Sequence, residues 1–194
     1  MLPPRRCLLP GMRMKKPAAL GALICSVLMA AAAGAAPGPV SIATGETIVL
    51  RLGADGTASV QSRAAAPPLS RLEQAALAQM KAVQVPPGAE TLPAMPLQSA
   101  EGAEPPAIPS GLVRLTFREV PGGSDAMLTI ENGYDRAFRY RAVMHHGAKS
   151  RATDVCEVPP HKPGFEYWPF RIERLELSAT RLERWQDGQG VRCE

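Results

Sequence analysis

Apolar and polar residues alternate along several short segments in the C-terminal half of the chain. The first segment places Val113, Leu115 and Phe117 at every second position, with polar residues between them. A period of two is typical of a strand that buries one face. After glycine-rich turns the pattern continues through Ala126, Leu128, Ile130, Phe138, Tyr140, Ala142 and Met144. The sequence therefore predicts antiparallel strands joined by tight turns.

Two later segments are less regular. A shorter strand is predicted over 153–158. In 171–183 a helix would align Ile172, Leu175, Ala179 and Leu182, whereas a strand would align Leu175, Leu177 and Ala179. We favour the strand, because short strands with turns at regular spacing indicate a β-sandwich.

Residues 36–84 predict a β-hairpin followed by one α-helix. Ile48, Leu50 and Leu52 alternate as in a strand, and glycines near position 55 supply a turn before a returning strand. Ser70 and Glu73 have the spacing of a helix capping box. The apolar face of this helix would consist of Leu69, Leu72, Ala76, Met80 and Val83. Such a stripe is more often a packing face than a docking site.

The distribution of aromatic residues locates the main core. All nine lie between Phe117 and Trp185, and aromatic side chains bury the largest areas. The core is therefore expected in 111–194, and residues 36–84 must form an appendage or dock on that core. Residues 85–110 contain seven prolines and no periodic pattern, which predicts a linker or an irregular surface loop.

The first 35 residues have the order of a cleavable secretory signal peptide. Five basic residues come first, an apolar run of about 16 residues follows, and the run ends in Ala33-Gly34-Ala35. The run is shorter than the roughly 20 residues that span a bilayer. We therefore expect export, most simply to a bacterial periplasm, and no membrane span after cleavage.

Removal of this leader changes the charge of the chain. The precursor has 22 Lys and Arg against 18 Asp and Glu, a net charge of +4, and the leader holds five of the basic residues and none of the acidic ones. The mature chain has 17 basic and 18 acidic residues, hence −1. A nearly neutral chain gives no indication of nucleic-acid binding.

The cysteines predict one disulfide. Cys156 and Cys193 are the pair that remains after the leader is removed, and an even pair in an exported chain is the usual sign of a bridge. Such a bridge would hold the C-terminus in place. The alternative, a reactive or metal-binding thiol, lacks a C-x-x-C motif.

No motif in the sequence identifies catalysis, and we predict no catalytic residue and no cofactor. The G-x-S-x-G, P-loop and G-x-G-x-x-G patterns are missing from the sequence. His145 and His146 are neighbours at the end of a strand and should point to opposite faces. His161 lies in a proline-rich segment, and none of the three has a recognised metal-ligand spacing, so no metal site is predicted.

The segment 164–170, which we predict to be a loop, is the most distinctive candidate for binding. It brings together Phe165, Tyr167, Trp168 and Phe170. Exposed, these rings would anchor a protein or glycan partner. The alternative, which we favour, is that they close one end of the sandwich beneath the Cys156–Cys193 bridge.

Three stretches, IENGYDRAFRYRAVM (130–144), TDVCEV (153–158) and EYWPF (166–170), together with the terminal RCE, resemble a pattern in small exported proteins of Gram-negative bacteria. The resemblance covers mainly 112–194. It implies export and a single C-terminal β module, and it transfers no site residues.

These observations predict a mainly β protein with an antiparallel β-sandwich, immunoglobulin-like in style, at the C-terminus. The predicted organisation is a signal peptide (1–35), a hairpin–helix appendage (36–84), a proline-rich linker (85–110) and the sandwich (111–194). The function that we expect is non-catalytic protein binding or accessory work in the cell envelope, with an unknown envelope protein as partner. The alternatives are a periplasmic metal- or small-ligand-binding protein and a small hydrolase.

Overall fold

The structure is a computed structural model, and it describes residues 38–82, 108–186 and 188–194. The predicted leader and nearly all of the predicted linker lie outside these ranges. The described elements, in chain order, are β1 (Val40–Ala43), β2 (Glu46–Leu52), β3 (Ala58–Ala65), α1 (Arg71–Ala82), β4 (Val113–Glu119), β5 (Ala126–Asn132), β6 (Ala137–His146), β7 (Lys149–Thr153), β8 (Pro163–Trp168) and β9 (Arg174–Glu183).

The strands form two antiparallel sheets. The four-stranded sheet has the order β1-β9-β6-β7, and the five-stranded sheet has the order β3-β2-β4-β5-β8. Side chains from the inner faces of both sheets make one hydrophobic cluster, which is the arrangement of a β-sandwich. The prediction of a mainly β, sandwich-like fold with one helix is confirmed.

The described part of the predicted appendage, residues 38–82, docks on the sandwich core, the second of the two expectations for this segment. β2 pairs with β4, and β1 pairs with β9, so the segment contributes strands to both sheets. Ile42, Ile48 and Leu50 are fully buried among residues from 111–194. The boundary predicted between an appendage and a sandwich therefore does not separate two hydrophobic cores.

The alternation in β4, β5 and β6 correctly identifies the inner face. Leu115, Phe117, Leu128 and Phe138 are fully buried in the shared core. The expectation that the opposite faces meet solvent is wrong for β5, whose seven residues are all buried. The outer face of β5 is covered because α1 packs on it, with Ala76 against Met127.

The strand predicted within 171–183 is confirmed as β9, but it contains a bulge. Leu175 and Leu177 are buried as expected, whereas Ala179 is exposed and has a positive φ of 49°. The register with β6 shifts at this point. Next to the bulge, the Thr180 hydroxyl donates a hydrogen bond of 2.7 Å to the carbonyl oxygen of Gly56 in the β2–β3 turn. The bulge thus joins the hairpin turn to the opposite sheet.

Two segment predictions are wrong. The strand expected over 153–158 is absent from the described structure, because β7 ends at Thr153 and the following residues make only isolated bridges, Phe138 with Val158 and Cys156 with Cys193. The aromatic segment 164–170, expected as a loop, is mostly strand β8.

Candidate functional site

Strand β8 carries most of the aromatic residues singled out in the sequence, and it separates them. Successive side chains of a strand point to opposite faces of the sheet. Trp168 joins the core between the sheets, while Phe165 and Tyr167 pack on the outer side with α1. The four aromatic side chains therefore do not form one binding surface.

Trp168 is a core residue. Its ring meets the Phe117 ring edge-on, with 6.3 Å between centroids and 84° between planes. Its indole N–H donates a 2.8 Å hydrogen bond to the hydroxyl of Thr153, the last residue of β7. Because β7 belongs to the other sheet, this bond ties the two sheets together at one end.

Tyr167 fixes the helix to the sheet. Its hydroxyl donates a 2.6 Å hydrogen bond to the Asp125 carboxylate, and Lys81 of α1 lies 3.3 Å from the same carboxylate. The Lys81 ammonium is also 5.8 Å from the centre of the Tyr167 ring, within the range of a cation–π contact. Burial together with the Asp125 charge raises the pKa of Tyr167 to about 12.

Phe170 remains at the surface. It lies two residues after the end of β8, and its exposed fraction is 44%. Within the described ranges, the other large hydrophobic side chain that stays exposed is Val60 in β3, at 38%. β3 and β8 are the two edge strands of the five-stranded sheet. Val60 thus lies in one edge strand of this sheet, and Phe170 lies just beyond the end of the other edge strand.

Glu166 is an ionisable residue on the inner side of β8. It pairs in register with the fully buried Leu128, so its side chain points between the sheets. One carboxylate oxygen accepts a 2.7 Å hydrogen bond from the backbone N–H of Cys156. Burial, with a smaller contribution from the negative charge of Asp154, raises the pKa of Glu166 to about 7. This carboxyl was not identified from the sequence, where a glutamate between aromatic residues reads as solvent-facing.

The predicted disulfide between Cys156 and Cys193 is confirmed, with 4.0 Å between the Cα atoms. Backbone hydrogen bonds on both sides of the bridge, Val155 with Glu194 and Glu157 with Arg192, continue the pairing. The C-terminal residues therefore lie as a short strap along 155–157. Because the Glu166 carboxylate accepts a hydrogen bond from the backbone N–H of Cys156, the segment under the strap and this partly buried carboxyl are tied together.

An ion cluster holds the same strap. The Glu157 side chain is fully buried and accepts hydrogen bonds from Arg192 at 2.9 and 3.2 Å. Arg139 of β6 lies 3.9 Å from Glu157 and also pairs with Glu183 and Glu194. Hydrogen bonds from arginines, that of Arg181 first, lower the pKa of Glu183 to about 2. The cluster anchors the terminus by charge pairing.

A second buried ionic group lies beneath α1. Ser70 and Glu73 form the predicted capping box, with hydrogen bonds of 2.7 and 3.2 Å. The other Glu73 oxygen accepts hydrogen bonds from Arg118 at 3.0 Å and from Thr129 at 2.8 Å. Glu73 therefore caps the helix and also binds it to the sheet. The sequence showed the first role and not the second.

The histidines do not assemble a site. His145 lies 3.2 Å from Glu176, and His146 lies 3.5 Å from Glu173. His161 is in a turn before β8 with a positive φ of 52°. Across the described residues, no group of three or more His, Cys, Asp or Glu side chains is placed to hold a metal ion.

A surface groove lies beside the strap and has a volume of about 630 Å³. It is lined by the guanidinium groups of Arg136, Arg184 and Arg192, by side-chain amides and by Glu183. Arg192 and Glu183 already pair with each other at 2.8 Å. One of the arginine charges of this groove is therefore already paired.

Comparison of the chain with protein-family models, curated proteins and solved structures finds no match. No helix in the described part of the chain is long and apolar enough to cross a membrane.

Proposed function

We propose that the mature chain is an exported, non-catalytic protein of the cell envelope that acts in the periplasm by binding another protein. The leader pattern in 1–35 supports export. The Cys156–Cys193 disulfide also supports it, because such bridges persist in oxidising compartments. The resemblance to small exported proteins of Gram-negative bacteria is a further support.

The observation that carries the binding function is the position of the exposed hydrophobic residues. Val60 lies on one free edge of the five-stranded sheet and Phe170 directly beside the other. A free edge presents unpaired backbone N–H and C=O groups, which an extended segment of another chain can satisfy. An exposed apolar side chain next to such an edge adds contact area and selectivity.

The remaining aromatic residues support this surface from behind. Trp168 holds the end of β8 in the core, and Tyr167 ties its outer face to the helix. Phe170 is therefore presented by a fixed strand. A rigid support lowers the conformational entropy cost of ordering Phe170 when a partner binds.

Site-specific crosslinking tests the proposal. A photo-reactive amino acid at position 170 is expected to crosslink one envelope protein in living cells. The matched control is the same amino acid at Asp135, an exposed position in the β5–β6 turn away from both edges. Equal capture at the two positions, or no adduct at position 170, would contradict binding at this edge.

Cell fractionation tests the export. The mature chain is expected in the periplasmic fraction, beginning near position 36 and resistant to thiol reagents under denaturing, non-reducing conditions. A chain that keeps its first 35 residues, or that exposes two free thiols, contradicts the proposed compartment.

A further inference from the structure

Two hydrogen bonds hold the segment between β8 and β9 beside β7, an edge strand of the four-stranded sheet. At one end, the Trp168 indole N–H donates a hydrogen bond to the hydroxyl of Thr153, the last residue of β7. At the other end, the Glu173 carboxylate accepts a 3.1 Å hydrogen bond from the backbone N–H of Gly147, two residues before β7 begins. Residues 169–172 therefore follow β7 from its last residue back to its first.

The side chains of Lys149 and Arg151 lie on the face of β7 that this segment follows. Arg151 pairs in register with Met144, whose side chain is buried between the sheets. Lys149 and Thr153 are two residues away from Arg151 and share its face, because side chains alternate along a strand. Both basic side chains are exposed.

The segment adds a third cation and an apolar side chain to this face. Phe170 and Arg171 are both exposed. The next residue, Ile172, is buried in the core and fixes the segment in place. Four exposed side chains thus lie together along the β7 edge, and we call them the β7 surface: Lys149, Arg151, Phe170 and Arg171.

The three positive charges of the β7 surface are not neutralised within the described chain. Across residues 38–82, 108–186 and 188–194, no acidic side chain forms an ion pair with Lys149, Arg151 or Arg171, and none of the three makes a side-chain hydrogen bond. Exposed arginines elsewhere do have such a partner, as Arg63 does with Glu46 at 2.8 Å. The cations of the β7 surface are therefore available to an external anion.

Two carboxylates lie at the ends of this surface. Glu173 is already engaged, by the Gly147 N–H and by His146 at 3.5 Å. Asp154 follows Thr153, beyond the end of β7. The β7 surface keeps an excess of positive charge, although the mature chain as a whole has one more acidic than basic residue.

We infer that the β7 surface binds an acidic segment of the partner protein, in which aspartate or glutamate side chains flank an apolar residue. This inference rests on the proposed binding function and names the chemistry of the partner at Phe170. The apolar residue would cover Phe170, and the carboxylates would pair with the cations around it. Basic residues on an edge strand hinder pairing with strands in general, but an acidic segment turns the same charges into attraction.

Two synthetic peptides test this chemistry on the mature chain. Both are fluorescein-labelled octapeptides, one of alternating glutamate and leucine and the other of alternating glutamine and leucine, and binding is followed by fluorescence anisotropy. The glutamate peptide should bind at least about tenfold more tightly at low salt. Because salt screens exposed charges, its affinity should fall at least roughly fivefold from about 50 mM to about 300 mM sodium chloride.

Two triple variants locate the effect. The variant with Lys149→Gln, Arg151→Gln and Arg171→Gln should bind both peptides with equal affinity. The matched control neutralises three exposed arginines elsewhere, Arg51→Gln, Arg71→Gln and Arg184→Gln, and should keep the preference of the native chain. The inference is overturned by a native chain that does not prefer the glutamate peptide, or by the same loss in both triple variants.

Vesicles separate a protein partner from a membrane surface. The native chain should not sediment with phosphatidylglycerol vesicles at about 150 mM salt, where a few exposed charges bind a surface only weakly. Sedimentation with the vesicles, together with no preference for the glutamate peptide, assigns the β7 surface to anionic lipid and overturns the inference.

Crosslinking in cells separates this inference from the proposed function. With the photo-reactive amino acid at position 170, neutralising Lys149, Arg151 and Arg171 should reduce capture of the partner at least about fivefold. Undiminished capture overturns the acidic partner and leaves the binding function standing. No capture in the native chain contradicts the binding function, and the peptide titration still decides whether the β7 surface prefers acidic segments.

Discussion

Replacing Glu166 with glutamine should stabilise the protein at alkaline pH. Glu166 points between the sheets, and burial raises its pKa from the ordinary 4.5 to about 7. Glutamine has nearly the same shape, and its side-chain oxygen can still accept the 2.7 Å hydrogen bond from the Cys156 amide. The substitution therefore removes a partly buried charge and keeps the hydrogen bond to the Cys156 amide.

The sign and size of the pH effect on the free energy of unfolding follow from proton linkage. Because the folded state holds its proton more tightly than the unfolded state, the folded state binds more protons between pH 4.5 and about 7. Stability must then fall as the pH rises through this window and level off above it. The difference between the two pKa values corresponds to a total loss of about 3 kcal/mol in the free energy of unfolding. About 2 to 3 kcal/mol of this loss occurs between pH 5 and pH 8.

Urea unfolding of the native chain and of Glu166→Gln at pH 5 and pH 8 measures this contribution. The free energy of unfolding of Glu166→Gln relative to that of the native chain should increase by about 2 to 3 kcal/mol from pH 5 to pH 8. Glu176→Gln is the control of opposite sign, because a hydrogen bond from Arg174 lowers the pKa of Glu176. Its ionised form stabilises the fold, so this variant should gain no stability at pH 8. A difference between native and Glu166→Gln that is independent of pH would refute the reasoning.

Further substitutions test the packing around the sandwich. Gly56→Ala should destabilise by at least about 1 kcal/mol more than Gly45→Ala in thermal unfolding. Both glycines have a φ near 85°, but of the two only Gly56 would bring the new methyl group against a backbone atom, the carbonyl oxygen of Thr180 at 2.5 Å. Equal losses of stability in the two variants would contradict the docking of the hairpin turn. Glu73→Gln should cost about 3 kcal/mol in urea unfolding, because it leaves a buried guanidinium without its counter-charge; a loss below about 1 kcal/mol would contradict this role. Cys193→Ser should cost about 4 kcal/mol, as expected for a loop with a sequence separation of 37; an unchanged denaturation midpoint would show that the ion cluster alone anchors the strap.

The local pattern predicted the elements that depend on neighbouring residues. The alternation around Leu115 and Leu128 gave β4 and β5, and the spacing of Ser70 and Glu73 gave the start of α1. These features need only a period or a short-range hydrogen bond. The pairing of β1 with β9, which joins Val40 to Leu177, could not be predicted in the same way, because nothing within either segment specifies a partner so distant along the chain.

The buried ionisable groups were missed for a related reason. Arg118 alternates with apolar residues and reads as a solvent-facing position, yet it is buried. Its burial depends on α1, which crosses the outer face of the sheet and brings Glu73 to it. Glu166 lies on the inner face of β8, where it accepts a hydrogen bond from the backbone N–H of Cys156, a residue outside this strand. In both cases a segment distant along the chain contacts the side chain, so the neighbouring residues in the sequence do not indicate its burial.

The charged surroundings of each buried glutamate decide how the fold responds to its loss. Glu73 faces Arg118 at 3.0 Å, and Glu157 faces Arg192 at 2.9 Å. Removing either negative charge leaves a cation without its partner, which is costly inside a protein. At Glu166, desolvation by burial and, to a smaller extent, the negative charge of Asp154 outweigh the hydrogen bonds from the Cys156 amide and from Tyr140, so the ionisation of Glu166 opposes folding. The same Glu→Gln change at pH 8 should therefore destabilise the fold at Glu73 and Glu157 and stabilise it at Glu166. Urea unfolding of the three variants side by side measures this reversal, and three losses of equal size would show that packing and not charge governs these sites.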